Sequence, residues 1–176
     1  VRRETGGRQG LSIRVLSGEE EAYYSAPGVA AGAPGAPGVV GDLGGSSLEL
    51  IPIRHGVPGR GMTLPLGPFA LGAPKPMDAG LVRARCEEAL SGLEPSLQGG
   101  TLYAVGGAWR ALGLLQMSMT DYPLQIVHQY ELGAGAALEA ARVVARQSKS
   151  SLERSGGLAR KRAETVPYAA LVMEQV

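Results

Sequence analysis

Residues 39–53 read VVGDLGGSSLELIPI, and this stretch decides the fold. Two apolar segments, 39–43 and 48–53, flank the small residues Gly44-Gly45-Ser46-Ser47. Gly and Ser are typical of tight turns because their backbones and short side chains tolerate a reversal of the chain. The pattern predicts a β-hairpin that places Asp42 at the end of one strand and Glu49 at the start of the next.

The turn of this hairpin has the composition of a phosphate-binding loop. Backbone N–H groups of small residues can point into one concavity, because no large side chain blocks the approach of phosphate oxygens. Ser47 adds a hydroxyl donor, and carboxylates such as Asp42 and Glu49 commonly hold Mg²⁺ beside a phosphate. An ordinary hairpin turn with a solvated Asp42 explains the same residues equally well, since Gly-rich turns are common.

The rest of the chain predicts helices packed on a sheet. Ser17 is a helix N-cap for a segment through Tyr23 and Tyr24, and a Pro/Gly/Ala-rich run is predicted to be a mobile loop over 26–38. Further strands are predicted over 11–16, 62–66 and 101–105, the last one buried because of its continuous apolar run. Helices are predicted over 78–93, 108–119, 136–147 and 165–176. This order indicates a mixed α/β layer.

A second Gly-Gly pair, Gly106-Gly107, lies between a predicted strand and a predicted helix. Such a transition presents free N–H groups and a helix N-terminus to an anion, although a tight turn alone accounts for it. Two such loops together favour phosphate held between them. Among Glu19, Glu20 and Glu21, one carboxylate facing a cleft would suit a general base, and nothing local selects which.

Composition excludes several classes of protein. The 176 residues allow one domain, or one and a fragment, and a net charge of +1 with few aromatic residues argues against DNA as a partner. No apolar run approaches the roughly 18 residues of a membrane span. One Cys and two His exclude a disulfide framework and a multi-Cys or His-rich metal site, which favours a cytoplasmic location. His128 has an ordinary structural interpretation. The basic clusters at Lys149 and 160–162 are normally solvated, although a polyanionic substrate could use them.

Two segments that occur together resemble the exopolyphosphatase / guanosine pentaphosphatase (Ppx/GppA) family: VLSGEEEA at 15–22 and VGDLGGSSLEL at 40–50. The segments 64–67, 103–107 and 158–176 also fall where that family has similar ones. The resemblance implies a ribonuclease-H-like domain of the actin / sugar kinase / chaperone ATPase superfold, incomplete at both ends. Residues 1–25 would be the end of a first domain with its connecting helix, and 26–176 a second domain without its last strand.

The resemblance also implies a Mg²⁺-dependent hydrolase that releases terminal orthophosphate from inorganic polyphosphate, guanosine pentaphosphate or both, in a cytoplasmic bacterial protein that is a possible homodimer. Glu21 would activate the attacking water, and the metal would be held by Asp42 and Glu49. The phosphate would be bound by backbone and hydroxyl donors of Gly44, Gly45, Ser47, Gly106 and Gly107.

The sequence departs from the family pattern at two loop positions, where Ser46 replaces a third glycine and Leu48 replaces a threonine. The family's first phosphate motif has no counterpart either, so the chain alone is expected to be inactive or nearly so. Two alternatives stay open: a non-catalytic phosphate- or (p)ppGpp-sensing domain, and a kinase of the same superfold.

Overall fold

The computed structural model describes residues 14, 16–35, 37–98, 100–155 and 162–176. Five strands are present in this part of the chain: β1 (Gly38–Leu43), β2 (Leu48–Arg54), β3 (Val57–Pro58), β4 (Met62–Leu64) and β5 (Leu102–Val105). The α-helices are α1 (Gly18–Gly32), α2 (Pro68–Leu71), α3 (Ala79–Leu90), α4 (Gly107–Met119), α5 (Ala134–Ala145), α6 (Lys149–Arg154) and α7 (Val166–Gln175). A short 3₁₀ turn covers Pro95–Leu97.

The sheet is mixed, in the order β3-β2-β1-β5, with β4 also paired to β2. Strands β1 and β2 form the predicted hairpin, and β4, at the strand predicted over 62–66, pairs antiparallel with β2. Strand β5 pairs with β1 in parallel. It was expected to be buried, but it lies at the edge of the described sheet and Ala104 is exposed. The continuous apolar run misled here, because an edge strand is covered on fewer sides than a central one.

Alternation along β1 divides the apolar residues between the two faces of the sheet. One face belongs to the large core, in which Leu43 and Leu50 join Trp109 and the buried residues of α7. The opposite face carries a small cluster, which consists of Ala26, Val40, Ile51 and Ile53. Because side chains alternate with a period of two, Asp42 and Glu49 fall on the small-cluster face, the face that α1 covers.

Helix α1 begins at the predicted cap but runs further than predicted. Ser17 accepts a hydrogen bond from the N–H of Glu20, whose side chain accepts one from the N–H of Ser17, a complete capping box. The helix continues through Pro27 to Gly32, so the loop predicted over 26–38 is wrong over 26–32. Packing explains the difference, because Ala26 is fully buried against the sheet and Val29 packs beside it. This burial outweighs the roughly 3 kcal/mol by which Pro disfavours a helix interior.

The other predicted helices are confirmed, with ends displaced by no more than three residues. Asp78 caps α3 by accepting from the N–H of Leu81, and Pro167 lies in the first turn of α7. The short helices α2 and α6 were not predicted. The strand predicted over 11–16 falls largely on residues outside the described part. No described helix is both long enough and apolar enough to cross a bilayer.

Helix α7 ends in an ion-pair cluster that ties three helices together. Glu174 accepts from Arg83 of α3 at 2.9 Å and from Arg142 of α5 at 3.2 Å, and its side chain is only 11% exposed. Burial alone would raise the pKa of Glu174, but hydrogen bonds and charges from the two arginines outweigh it, so the pKa is lowered. The charged carboxylate therefore stabilises the fold.

We expect Glu174→Gln to lower the free energy of unfolding by about 1 kcal/mol at pH 7. A carboxyl group with a lowered pKa stabilises the fold above its ordinary pKa, 4.5 for Glu, and loses that contribution as the pH falls through the folded-state pKa. The difference between variant and wild type should therefore shrink below pH 4.5 in urea titrations. Glu164→Gln, in the more exposed pair with Lys149, is the control and should have a smaller effect. An equal loss in both variants would contradict this account.

Candidate functional site

Two loops meet at one end of the sheet because β1 and β5 run parallel. The hairpin loop follows β1, the Gly106-Gly107 turn follows β5, and Asp42 lies directly beside Val105 in the register. Parallel neighbours deliver their carboxyl ends to the same edge, which is where open α/β sheets bind ligands. A cleft of about 330 Å³ lies there, lined by residues that include Asp42, Gly44, Gly45, Gly106 and Gly107.

Hydrogen bonds within the hairpin loop and from helix α2 hold the loop in place. The N–H of Gly44 donates to the carbonyl of Ser47 at 2.9 Å, and the carbonyl of Gly45 accepts from the N–H of Phe69 at 2.8 Å. A Cβ on Gly67 would lie 2.3 Å from backbone carbon of Ser46, so this glycine is required for helix α2 to support the loop. The N–H of Gly44 closes the turn and is therefore already engaged. A phosphate bound at this loop would accept hydrogen bonds from the N–H groups that follow Gly44.

The two departures from the family pattern have simple placements in the loop. Ser46 is exposed to solvent. Leu48 is fully buried in the large core, where an apolar side chain fits better than a hydroxyl. Neither side chain lines the cleft.

The second wall of the cleft depends on Gly106. Its φ of 105° lies in the left-handed region, and a Cβ there would lie 2.3 Å from the carbonyl oxygen of Leu43. Helix α4 begins at the next residue, with no side chain capping it. The first-turn N–H groups of a helix lack partners within the helix, so they are available to an anion, and the helix dipole favours negative charge at this end.

Arg162 supplies positive charge to this wall. A Cβ on Gly107 would lie 2.4 Å from Nη2 of Arg162, so the guanidinium rests against the bare backbone of Gly107, and Arg162 and Thr165 both line the cleft. In the sequence, Arg162 belongs to a basic cluster that is normally solvated but that a polyanionic substrate could use, and it was not among the predicted site residues. Its position just before α7 was the available signal, but only the packing of α7 in the core brings it 55 positions back along the chain to Gly107.

Three carboxylates converge beside the cleft. Asp42 and Glu49 are direct partners across the hairpin, and Glu21 and Ser25 lie one turn apart on α1. The pKa of Asp42 is raised, chiefly by burial and then by the charge of Glu21, while a hydrogen bond from Ser25 opposes the shift. Glu21 itself is exposed. Of the three carboxylates, Asp42 lines the cleft, and Glu21 and Glu49 do not. Asp42 therefore connects the other two carboxylates to the cleft.

Glu49 is the most constrained of the three. Glu49 is only 1% exposed, and its Oε1 has no hydrogen-bond partner in the described part of the chain. Burial raises the pKa of Glu49, a hydrogen bond from Ser47 opposes this, and the charges of Glu21 and Asp42 raise it further. Leaving a buried acceptor without a partner costs free energy.

Within the described residues, no group of three or more His, Cys, Asp or Glu side chains has the geometry to hold a metal ion. A larger cavity, about 520 Å³, lies at the other end of β1 and includes Gly38, Arg54, His55 and Thr101. It contains none of the predicted site residues. His128 is exposed on the loop before α5, and Cys86 is buried, which raises the pKa of its thiol to about 11.

We expect Gly106→Ala to destabilise the fold by about 1–3 kcal/mol, because a side chain at this φ is strained and its Cβ has no room beside Leu43. Gly80→Ala, within α3 and with no contact shorter than 3.4 Å, is the matched control and should be neutral or stabilising. Thermal unfolding of both variants measures the difference. Equal stability in the two would show that the turn has another conformation.

Comparison with known proteins agrees with this geometry. The model of the Ppx/GppA phosphatase family matches residues 1–176. Among curated proteins, none gives a significant match. An exopolyphosphatase from Cytophaga hutchinsonii ATCC 33406 has a similar structure, with a TM-score of 0.83 and 17% identity over 97% of this chain and 59% of that one.

Two other solved structures show the same similarity. An exopolyphosphatase-like protein gives a TM-score of 0.84 at 20% identity, covering 99% of this chain and 60% of that one. An Aquifex aeolicus member of the Ppx/GppA family gives 0.74 at 19% identity, covering 99% and 59%. The chain thus spans about 60% of the length of these structures. They have the actin-like ATPase fold, which confirms the expected α/β class, and the motif resemblance is confirmed as well: the chain belongs to the Ppx/GppA phosphatase family.

Proposed function

We propose that the chain belongs to a Mg²⁺-dependent phosphoanhydride hydrolase that releases terminal orthophosphate from inorganic polyphosphate, guanosine pentaphosphate or both. One observation carries the proposal: a single cleft joins two Gly-Gly loops and Arg162 to Asp42, which lies beside Glu21 and Glu49. Anion-binding groups and carboxylates in that proximity suit attack of water on a bound phosphate. Membership of a phosphatase family supports the reaction class.

The cleft residues would bind the terminal phosphate from two sides. On one wall are the open N–H groups at the start of α4 and the guanidinium of Arg162, which can donate two parallel hydrogen bonds to phosphate oxygens. The hairpin loop forms the other wall. Most of the barrier to phosphoryl transfer is lowered by positioning and by neutralising charge, and these groups supply both.

Asp42 and Glu49 fit a bound Mg²⁺. This cation is usually held by one or two carboxylates together with waters and substrate phosphates, so a cluster of three protein ligands is not required. The partnerless Oε1 of Glu49 is an acceptor without a donor, and a cation would satisfy it. When bound, the ion would neutralise charge on the phosphate oxygens.

Glu21 is the residue suited to orient the attacking water. It is exposed on α1, one turn from Ser25, whose hydrogen bond holds Asp42 at the edge of the cleft. Glu20 is excluded from this role, because its two oxygens are engaged by the N–H of Ser17 and by Arg14. As a general base, Glu21 would accept the proton of the water as its oxygen bonds to phosphorus, while the anhydride bond breaks and the rest of the phosphate chain leaves as an anion. The domain boundary near residue 25, a dimeric protein and a cytoplasmic location stay predictions.

We expect Glu21→Gln, in the protein at its full natural length, to lower orthophosphate release by about 10²–10⁴-fold while substrate still binds. The assay offers polyphosphate and guanosine pentaphosphate in parallel with Mg²⁺, and their ratio identifies the preferred substrate. Glu20→Gln is the control, because a glutamine preserves the capping box and should leave the rate nearly unchanged. Binding without release in the wild type would instead favour the sensing domain, and phosphorylation of a sugar by ATP would favour the kinase.

We expect Mg²⁺ to stabilise the wild type by about 2.7 kcal/mol at 100 times its Kd, and Glu49→Gln to abolish most of this gain. Without Mg²⁺ the effect of Glu49→Gln on the free energy of unfolding has the opposite sign. A carboxyl group with a raised pKa favours the fold fully below its ordinary value of 4.5, and that contribution is lost as the pH rises through the raised pKa. Glu49→Gln should therefore be more stable than the wild type at pH 7 when no divalent cation is present. The exposed Glu88→Gln is the control, and a Mg²⁺ response that Glu49→Gln leaves intact would exclude this site.

A further inference from the structure

Phe69 is an exposed aromatic ring on the wall of the phosphate cleft. It is the only Phe of the chain, it is 58% exposed, and it lines the cleft together with Gly44, Gly45 and Arg162. Single exposed apolar side chains are common on protein surfaces, so exposure alone carries no meaning. Its position does, because it is the one aromatic ring among the described residues that line this cleft, and it lies there with the Gly-Gly loops, the carboxylate of Asp42 and the guanidinium of Arg162.

The backbone of Phe69 is anchored to the hairpin loop, and its ring packs on that loop. The N–H of Phe69 donates to the carbonyl of Gly45 at 2.8 Å. The ring of Pro68 fixes the backbone φ angle at the position directly before Phe69. A Cβ on Gly45 would lie 3.0 Å from Cδ2 and Cε2 of the ring, so the ring rests against the bare hairpin loop. A side chain held in this way loses little entropy when a ligand packs on it.

An aromatic face beside bound phosphates suits the planar base of a nucleotide. Stacking of a base on an aromatic side chain gains affinity with little dependence on which base is present, because every base has a π face. An inorganic phosphate chain has no such surface and gains nothing from the ring. Phe69 therefore distinguishes ligands by what is attached to the phosphates.

We propose that Phe69 is a specificity-determining residue, whose ring stacks on the base of a nucleoside while its phosphate chain lies in the cleft, so that the site favours nucleotides over inorganic phosphate chains. The inference rests on the proposed function only in taking the cleft to bind phosphates. Catalysis is not required for it, and binding alone tests it.

The test compares ligands with equal numbers of phosphates. Calorimetry in Mg²⁺ measures the Kd of guanosine triphosphate, adenosine triphosphate and inorganic tripolyphosphate, using the full-length protein with Glu21→Gln to prevent turnover. Phe69→Ala should weaken both nucleotides about tenfold, a loss within the range of base stacking, and leave tripolyphosphate unchanged. Phe69→Tyr should retain nucleotide binding. Phe69→Leu keeps an apolar contact on Gly45 without a π face, so it should behave like Phe69→Ala.

The other outcomes separate the two proposals. Tripolyphosphate binding with no loss of nucleotide affinity in Phe69→Ala overturns the role of Phe69 and leaves the phosphate cleft standing. Equal losses for all three ligands, or full nucleotide binding in Phe69→Leu, show that the ring only supports the hairpin loop and also overturn it. If the wild type binds none of the ligands, the phosphate cleft itself is wrong and the proposed function fails with it.

Discussion

The pairing of strand β1 on both of its edges is the constraint on which the site depends. Its antiparallel register with β2 sets Asp42 opposite Glu49, and its parallel register with β5 sets the same Asp42 beside Val105. The first pairing places the carboxylates of Asp42 and Glu49 side by side, and the second brings the two Gly-Gly loops together. A shift of one residue in either register would move Asp42 to the other face of the sheet and separate these functions.

Placing Asp42 and Glu49 side by side is unfavourable for the fold, and packing elsewhere in the molecule offsets this cost. Burial, followed by the charge of Glu21, raises the pKa of Asp42, and a hydrogen bond from Ser25 opposes this shift. Burial also raises the pKa of Glu49, together with the charges of Glu21 and Asp42, against hydrogen bonds from Ser47 and from the backbone. The large core compensates elsewhere, through α7 packed against α4 and the Arg83–Glu174–Arg142 cluster. The three carboxylates thus lie on the small-cluster face of the sheet, whereas the helices of the large core pack on the other face.

The parts of the structure that depend on local pattern were predictable from the sequence. The hairpin at 44–47, the cap at Ser17 and the turn at Gly106 follow from residue type and spacing, and the family resemblance followed from the first two with their neighbours. Long-range packing determined the rest: burial of Ala26 carries helix α1 past Pro27, and α7 positions Arg162 at the cleft. Neither contact leaves a periodic signal, since each joins residues far apart in the sequence.

The continuation of α1 through Pro27 divides the helix into two parts of unequal local stability. Proline has no N–H, so the carbonyl of Tyr23 lacks its helical partner at the point where burial begins with Ala26. The second half is anchored to the sheet, whereas the first half, which carries Glu21, leaves Tyr23 and Tyr24 exposed. Amide hydrogens of the first turns are therefore expected to exchange with solvent through local opening, without unfolding of the sheet. The segment that carries Glu21 can thus adjust its position while the two Gly-Gly loops stay fixed.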